Sequence, residues 1–156
     1  MPEKLAIVGA SVRAAAFSAL RAGFLPVCAD RFADLDLRRR VPVVQVDHYP
    51  DGLAEAILRE PVGGWLYTGA LENCPDLVDR IAASCPLLGV PGEKLAAVRD
   101  PFRLADELAA EGIPFPPIEY AGDRLPVDGP WLRKPKRGGG GAGISAWRGG
   151  RSLPAW

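Results

Sequence analysis

Leu5-Ala6-Ile7-Val8-Gly9-Ala10-Ser11-Val12-Arg13-Ala14 decides how the first half of this chain is read. Its apolar run has no polar alternation, which suits a strand buried on both faces of a parallel sheet. Gly9 ends the run, and Ser11 is placed to cap a helix. Residues 12–21 are alanine-rich and stop before Gly23. The order is strand, tight turn, helix.

The same order recurs outward along the chain. Leu25-Pro26-Val27-Cys28-Ala29 reads as a second strand ending at Asp30, and Val43-Val44-Gln45-Val46 as a third. Asp51 then precedes a helix whose Leu53, Ala54, Ile57 and Leu58 fall at helical spacing. Trp65-Leu66-Tyr67 is a fourth strand, and Pro75 opens a helix carrying Leu77, Val78, Ile81 and Ala82. Strands alternating with helices predict an α/β fold: a Rossmann-like, doubly wound parallel sheet over residues 1–90. Gly89-Val90-Pro91-Gly92 reads as a connector. Residues 91–156 change character and read as a second, incomplete domain. Helices are expected over 94–98 and 102–110, the second capped by Asp100 with Pro101 in its first turn. Gly112 ends it, and Pro114, Pro116 and Pro117 prevent its resumption. Ile118-Glu119-Tyr120 and Trp131-Leu132-Arg133-Lys134 are candidate strands on either side of the turn-rich residues 122–130, with a return strand over 144–147.

Composition narrows the function. The 156 residues carry 19 basic and 19 acidic side chains, a net charge of zero, so no global field favours nucleic acid or a membrane surface. Hydrophobic residues make up 48%, which is globular rather than disordered composition. Cys28, Cys74 and Cys85 form no C-x-x-C pair and read as reduced, packed thiols. No apolar run is long enough to span a bilayer. Met1-Pro2-Glu3-Lys4 has no cleavable signal pattern, and a cytoplasmic protein is expected. His48 reads as a surface histidine, and Arg38-Arg39-Arg40 as a solvated face.

The stretch richest in chemistry is Trp131-Leu132-Arg133-Lys134-Pro135-Lys136-Arg137-Gly138-Gly139-Gly140-Gly141-Ala142-Gly143-Ile144. A strand delivers a basic cluster into a run of glycines. Glycine lets the backbone approach a ligand and leaves amides free to point at anions. Lysine beside such a loop supplies charge for phosphate oxygens. On a strand Lys134 and Lys136 would share a direction, opposite to Arg133, and could face a cleft. Lys134, Lys136, Gly138, Gly139, Gly140 and Gly141 are therefore candidate contacts to a polyphosphate. The order G-x-x-x-x-G-K-[ST] is absent, so this is not a Walker P-loop.

Two further groups lie where strands end. Ser11 and Arg13 follow the first strand, and Glu72 and Asn73 follow the fourth. Ligands of open α/β sheets gather beyond such carboxyl ends, so these four are candidate substrate contacts. Gly9 with Asp30 would instead suit a dinucleotide, although the second and third glycines of G-x-G-x-x-G are replaced by Ser11 and Ala14. Asn73 could equally cap the next helix. Three functions stay open: a nucleotide-using enzyme, a non-catalytic Rossmann-like module that recruits a nucleotide or partner, and an NAD-dependent oxidoreductase.

The ordered set resembles the ATP-grasp superfamily of carboxylate–amine ligases, and within it the predicted carboligase branch related to biotin carboxylase. Residues 7–13 resemble that branch's opening strand and turn. Thr68-Gly69-Ala70-Leu71-Glu72-Asn73 is similar to its Gly-Gly-Leu-Glu-Asn turn, with Ala70 in place of the second glycine. Arg99-Asp100-Pro101 through Gly112-Ile113-Pro114-Phe115-Pro116 resembles the helix and exit before the nucleotide lid, and residues 131–143 resemble the lid strand and glycine loop. The resemblance implies that ATP phosphorylates a small carboxylate substrate and that an amine attacks the acyl phosphate, with Mg²⁺ bridging the phosphates. It makes Lys134 the lid lysine, places Arg99 near a second nucleotide-contacting basic residue, and makes residues 1–90 a pre-ATP-grasp domain. Residues 91–156 become the beginning of an α+β lobe. The Mg²⁺ carboxylates would follow beyond these residues, so the chain is expected to be a truncated, N-terminal portion that is inactive alone. Such a lid would leave Trp131, Trp147 and Trp156 exposed. The resemblance leaves the oligomeric state open, a homodimer included.

Overall fold

A computed structural model describes residues 3–57, 59, 61–120 and 130–147. Leu58, Trp156 and residues 122–129, which figure in the expectations above, lie outside the described residues. The chain divides into two compact units, residues 1–96 and 97–156.

The first unit is α/β. Its strands β1 (Lys4–Gly9), β2 (Leu25–Asp30), β3 (Val43–Gln45) and β4 (Gly64–Tyr67) form one parallel sheet in the order β3-β2-β1-β4. The helices are α1 (Arg13–Arg21), α2 (Leu35–Arg38), α3 (Gly52–Ile57), α4 (Pro75–Ala82) and α5 (Gly92–Arg99), the last crossing the division between units. A single 3-10 turn, Leu71–Asn73, links β4 to α4.

The period-2 alternation of β1 builds two cores. Leu5 and Ile7 pack with Val12, Ala16 and Ala19 at and within α1, Cys28 of β2, and Leu37 of α2. Ala6 and Val8 pack on the other face with Ala29, Leu53 and Ile57 of α3, Leu77, Val78 and Ile81 of α4, and Leu95 of α5. Helices therefore cover both faces, as a run of apolar residues without alternation requires. Trp65, fully buried, donates its indole N–H to the Cys85 carbonyl at 3.1 Å and pairs in a parallel bridge with Leu87. That bridge extends the sheet beyond β4 by one residue.

Some local expectations are corrected. Ser11 does not cap α1; Val12 stands at that position without a side-chain cap. Its amide instead donates to Asp30 Oδ2 at 2.6 Å, a carboxylate brought there by the neighbouring strand. Asn73 does not cap α4 either, since Cys74 holds the cap position. The arginines at 38–40 are exposed as expected, but two of them are engaged: Arg38 donates to the Ala33 carbonyl and to Gln45 Oε1, and the Arg40 guanidinium lies 5.9 Å from the Phe17 ring centre. His48 is exposed, as expected.

The second unit contains the last turn of α5, α6 (Pro101–Ala110) and a hairpin of β5 (Leu132–Arg133) with β6 (Ser145–Ala146). Asp100 caps α6, its Oδ1 accepting the amides of Phe102 at 3.0 Å and Arg103 at 3.3 Å. Gly112, at φ 69°, ends the helix, with Ile113 N–H returning to the Leu108 carbonyl and Gly112 N–H to that of Ala109. Ile118-Glu119-Tyr120 is not a strand. Pro116 and Pro117 remove amides just before it, and no described strand pairs with it. Trp131 and Trp147 are half-buried rather than exposed, because they close the hairpin's base through a Trp147 N–H to Trp131 carbonyl bond of 2.9 Å.

Candidate functional site

The carboxyl ends of β1, β2, β3 and β4 lie side by side, with Gly9 opposite Asp30, Asp30 opposite Gln45, and Val8 opposite Tyr67. The chain runs from β1 outward to β2 and β3, and then returns to place β4 on β1's other side. In open α/β sheets ligands gather where the winding reverses, which here is at the turns that follow β1 and β4. The two turns are tied together there. Thr68 Oγ1 donates to the Ser11 carbonyl at 3.0 Å, Thr68 N–H to Val8 at 2.8 Å, and Ala10 N–H to Gly69 at 3.4 Å. Gly9 is required for space: a methyl group on it would collide with Thr68 Oγ1.

Ser11 and Arg13 are exposed after β1, and the Arg13 guanidinium pairs with Asp36 at 3.4 Å. Glu72 and Asn73 are half-buried in the 3-10 turn after β4. Asn73 Nδ2 donates to the Ala70 carbonyl at 3.4 Å. Ala70, which leads into Glu72, has φ 80°, a left-handed conformation natural to glycine.

Asp30 is not available for a ribose. It is 1% exposed, and its two oxygens accept the amides of Val12, Phe32 and Ala33 at 2.6 to 2.7 Å. A carboxylate fully engaged by backbone donors is a structural hub, so the dinucleotide reading loses the group it depended on.

Two phenols that sequence reasoning passed over stand at the same edge. Tyr67 donates to the Val90 carbonyl at 2.7 Å, and burial, with the Glu72 charge added, pushes its pKa up. Tyr49 is pushed up to about 12, chiefly by burial, with Cys74 and Glu72 adding to the rise and Arg31 opposing it. Its hydroxyl is buried and has no hydrogen-bond partner among the described residues. The Arg31 guanidinium lies 5.9 Å from the Tyr49 ring centre. Position could have pointed to Arg31, since it follows the last residue of the second strand. Tyr49 stands four residues beyond β3, and no strand-end rule reaches that far.

In the second unit the basic cluster is arranged differently from the expectation. β5 ends at Arg133, so Lys134 and Lys136 do not share a strand face. Lys134 is exposed and has no ion-pair or hydrogen-bond partner among the described residues. The Lys136 ammonium sits 5.4 Å over the Tyr120 ring, which itself stacks on Phe102 at 3.8 Å between centres. Gly138, Gly140, Gly141 and Gly143 all have positive φ, from 62° to 148°. Around Gly140 and Gly141 there is open space where side chains would stand. Among the described residues the amides of Gly139, Gly140 and Gly141 donate to no protein acceptor. Arg99 Nη2 donates to the Gly138 carbonyl at 2.8 Å and so fastens the start of the loop to the end of α5. Unclaimed backbone amides of this kind are what anion-binding loops are built from. No group of three or more metal-binding side chains occurs among the described residues.

No family model matches this chain, and no curated protein does. Solved structures do. An L-amino acid ligase from Bacillus licheniformis is similar over 93% of this chain and 39% of its own, at 17% identity and a TM-score of 0.65. An N5-carboxyaminoimidazole synthetase from Staphylococcus aureus, complexed with ADP, is similar over 70% of this chain and 30% of its own, at 17% identity and a TM-score of 0.55. The chain thus spans well under half the length of each, and over the matched residues it shares their fold.

Proposed function

We propose that this chain is the N-terminal, phosphate-binding portion of an ATP-grasp ligase, which activates a small carboxylate as an acyl phosphate for attack by an amine. The observation that carries this reading is the glycine loop: amides of Gly139, Gly140 and Gly141 without a protein acceptor among the described residues, positive φ at Gly140 and Gly141, and an exposed Lys134 nearby in the chain. These groups suit phosphate oxygens, because oriented amides and an ammonium need no rearrangement when negative charge builds up. The fold shared with the two ligases supports the same reading. Lys134 and the amides of Gly139, Gly140 and Gly141 would contact phosphates. Gly138 would serve as the loop's hinge, held by Arg99. Lys136 would leave the Tyr120 ring to join them.

In this reading residues 1–90 are the pre-ATP-grasp domain, and 91–156 begin the ATP-grasp lobe. Ser11, Arg13, Glu72 and Asn73 face the acceptor substrate. Mg²⁺ would neutralise phosphate charge, held by residues of a further lobe, and the chain by itself would not turn over in the cytoplasm where such a ligase would work. Titration calorimetry with inorganic tripolyphosphate and with Mg-ATP tests the reading. Tripolyphosphate should bind, and Lys134→Ala should weaken it about tenfold. Equal affinity in the wild type and Lys134→Ala, or no binding to either, would sink it.

A further inference from the structure

In the second unit, two ties hold the entrance of the glycine loop to the junction of α5 and α6. Arg99 Nη2 donates to the Gly138 carbonyl at 2.8 Å. Two residues earlier in the chain, the Lys136 ammonium lies 5.4 Å over the Tyr120 ring. That ring stacks on Phe102, with 3.8 Å between centres and 11° between planes. Rings this close leave no room for an ammonium between them, so Phe102 backs one face of Tyr120 and Lys136 takes the other. Phe102 is itself fixed, because Asp100 accepts its amide at 3.0 Å. Residues 99–102 thus anchor both ties.

The two ties differ in what can break them. Arg99 spends a donor on a backbone carbonyl. Lys136 spends none: it has no ion pair or hydrogen bond among the described residues, and only the ring face attracts it. Tyr120 is 61% exposed, and at an exposed site an ammonium over a ring gains about two- to fivefold in an equilibrium constant. The same ammonium gains about tenfold or more from a charge-assisted hydrogen bond to a phosphate oxygen. The ring therefore holds Lys136 only until a phosphate competes. Reach allows the exchange. Lys136 stands three residues before Gly139, at most about 10 Å of extended chain, and its flexible stem covers part of that distance.

We propose that the Tyr120 ring, backed by Phe102, is a latch for Lys136: it parks the ammonium until a polyphosphate on the glycine loop draws it off. The inference rests on the phosphate reading given above and adds the regulation of that site. A protein whose binding-competent state is only part-populated binds its ligand more weakly in proportion to that fraction. The latch therefore costs affinity. Tyr120 sets the loop's affinity without touching the anion, and its removal should tighten binding. Loss of a ligand contact, or of local structure, would do the opposite.

The experiment uses the whole chain and inorganic tripolyphosphate. NMR of the lysine side chains comes first and needs no variant. The Lys136 methylene protons should stand upfield in the free protein, shifted by the Tyr120 ring current, and should return toward ordinary lysine positions at saturating tripolyphosphate. Calorimetric titrations then compare the wild type with Tyr120→Leu, Lys136→Met and the double variant. Tyr120→Leu should bind tripolyphosphate about two- to fivefold more tightly. Lys136→Met should bind more weakly, and in that background Tyr120→Leu should change nothing, a non-additivity that isolates the pair. The latch is overturned, with the phosphate loop left standing, by any of three results: Lys136 protons without an upfield shift or unmoved at saturation, no tighter binding in Tyr120→Leu, or the same gain with and without Lys136. Tripolyphosphate binding to neither the wild type nor Tyr120→Leu overturns the phosphate reading and the latch with it.

Discussion

Single residues at the sheet's edge carry conformational and electrostatic costs that the sequence pattern hides. Ala70 holds φ 80° two residues before Glu72, at a position where the resembling turn has glycine. A left-handed conformation costs a residue with a Cβ about 1–2 kcal/mol. Ala70→Gly should therefore stabilise the protein by about 1 kcal/mol after the added freedom of the unfolded glycine is deducted, read as a higher urea midpoint with unchanged slope. The resemblance identified the position as unusual, but only the backbone shows that alanine is strained there. Cys28 is a second case. Burial, with the Asp30 charge added, raises its thiol from 9.0 to about 12. Between those values the unfolded chain has lost a proton that the folded chain keeps. Stability is then intact below about pH 9 and falls as pH climbs toward 12. Tyr49, raised from 10.0 to about 12, acts in the same direction. Denaturant titrations across this window should show a shallower decline in Cys28→Ala than in the wild type, and Cys28 should resist thiol reagents in the folded state.

At the scale of elements, what the sequence could reveal depended on how much apolar pattern each element carries. The runs at 5–8 and 65–67 announce strands because both faces are covered, and the observed β1 and β4 contain them. α4 is legible from Leu77, Val78 and Ile81, all of which are buried on one side. α2 and the 3-10 turn went unread because each spans a single turn and buries one leucine, Leu37 and Leu71. Nothing periodic survives at that length. The basic cluster was read as a strand feature, but Pro135 stops the ladder after Arg133, and this sends Lys136 to the Tyr120 ring. Caps were legible where the capping group is local and illegible where it is not. Asp100 caps α6 from the next position in the chain, whereas the donor at the start of α1 is met by Asp30, 18 residues away. The local cap makes a clean test. Asp100→Ala removes the acceptor of two amides and should cost α6 about 1 kcal/mol. Hydrogen exchange at Phe102 and Arg103 should then quicken about fivefold, while amides of β1 stay unchanged; equal exchange in both proteins would show that the cap contributes nothing.

The whole molecule is uneven in a way that bears on the proposed function. Every buried hydrophobic side chain among the described residues lies between Leu5 and Leu95. α6 buries none of its ten residues, and the two short strands of the hairpin have no buried position. The second unit is held by local devices: the Asp100 cap, the return at Gly112, the Phe102–Tyr120 stack and the Arg99–Gly138 bond. Such contacts fix local geometry but bury little apolar area, and apolar burial is the main source of cooperative stability. The first unit has a two-sided core and should behave as one folding unit; the second should open at much lower free energy. An ATP-grasp lobe would gain its core only when further strands cover α6 and the hairpin, so the phosphate loop would be ordered late, by the same contacts that complete the site. Native-state hydrogen exchange separates these levels. Amides of Ile7 and Cys28 should exchange only through global unfolding and should respond steeply to denaturant, whereas those of Ile144 and Trp147 should exchange through local opening and show almost no dependence. Saturating tripolyphosphate should slow exchange at Ile144 and Trp147 and leave Ile7 unchanged. Equal, denaturant-sensitive protection in both units would mean that residues 97–147 already share a cooperative core, and the reading of an unfinished lobe would fail.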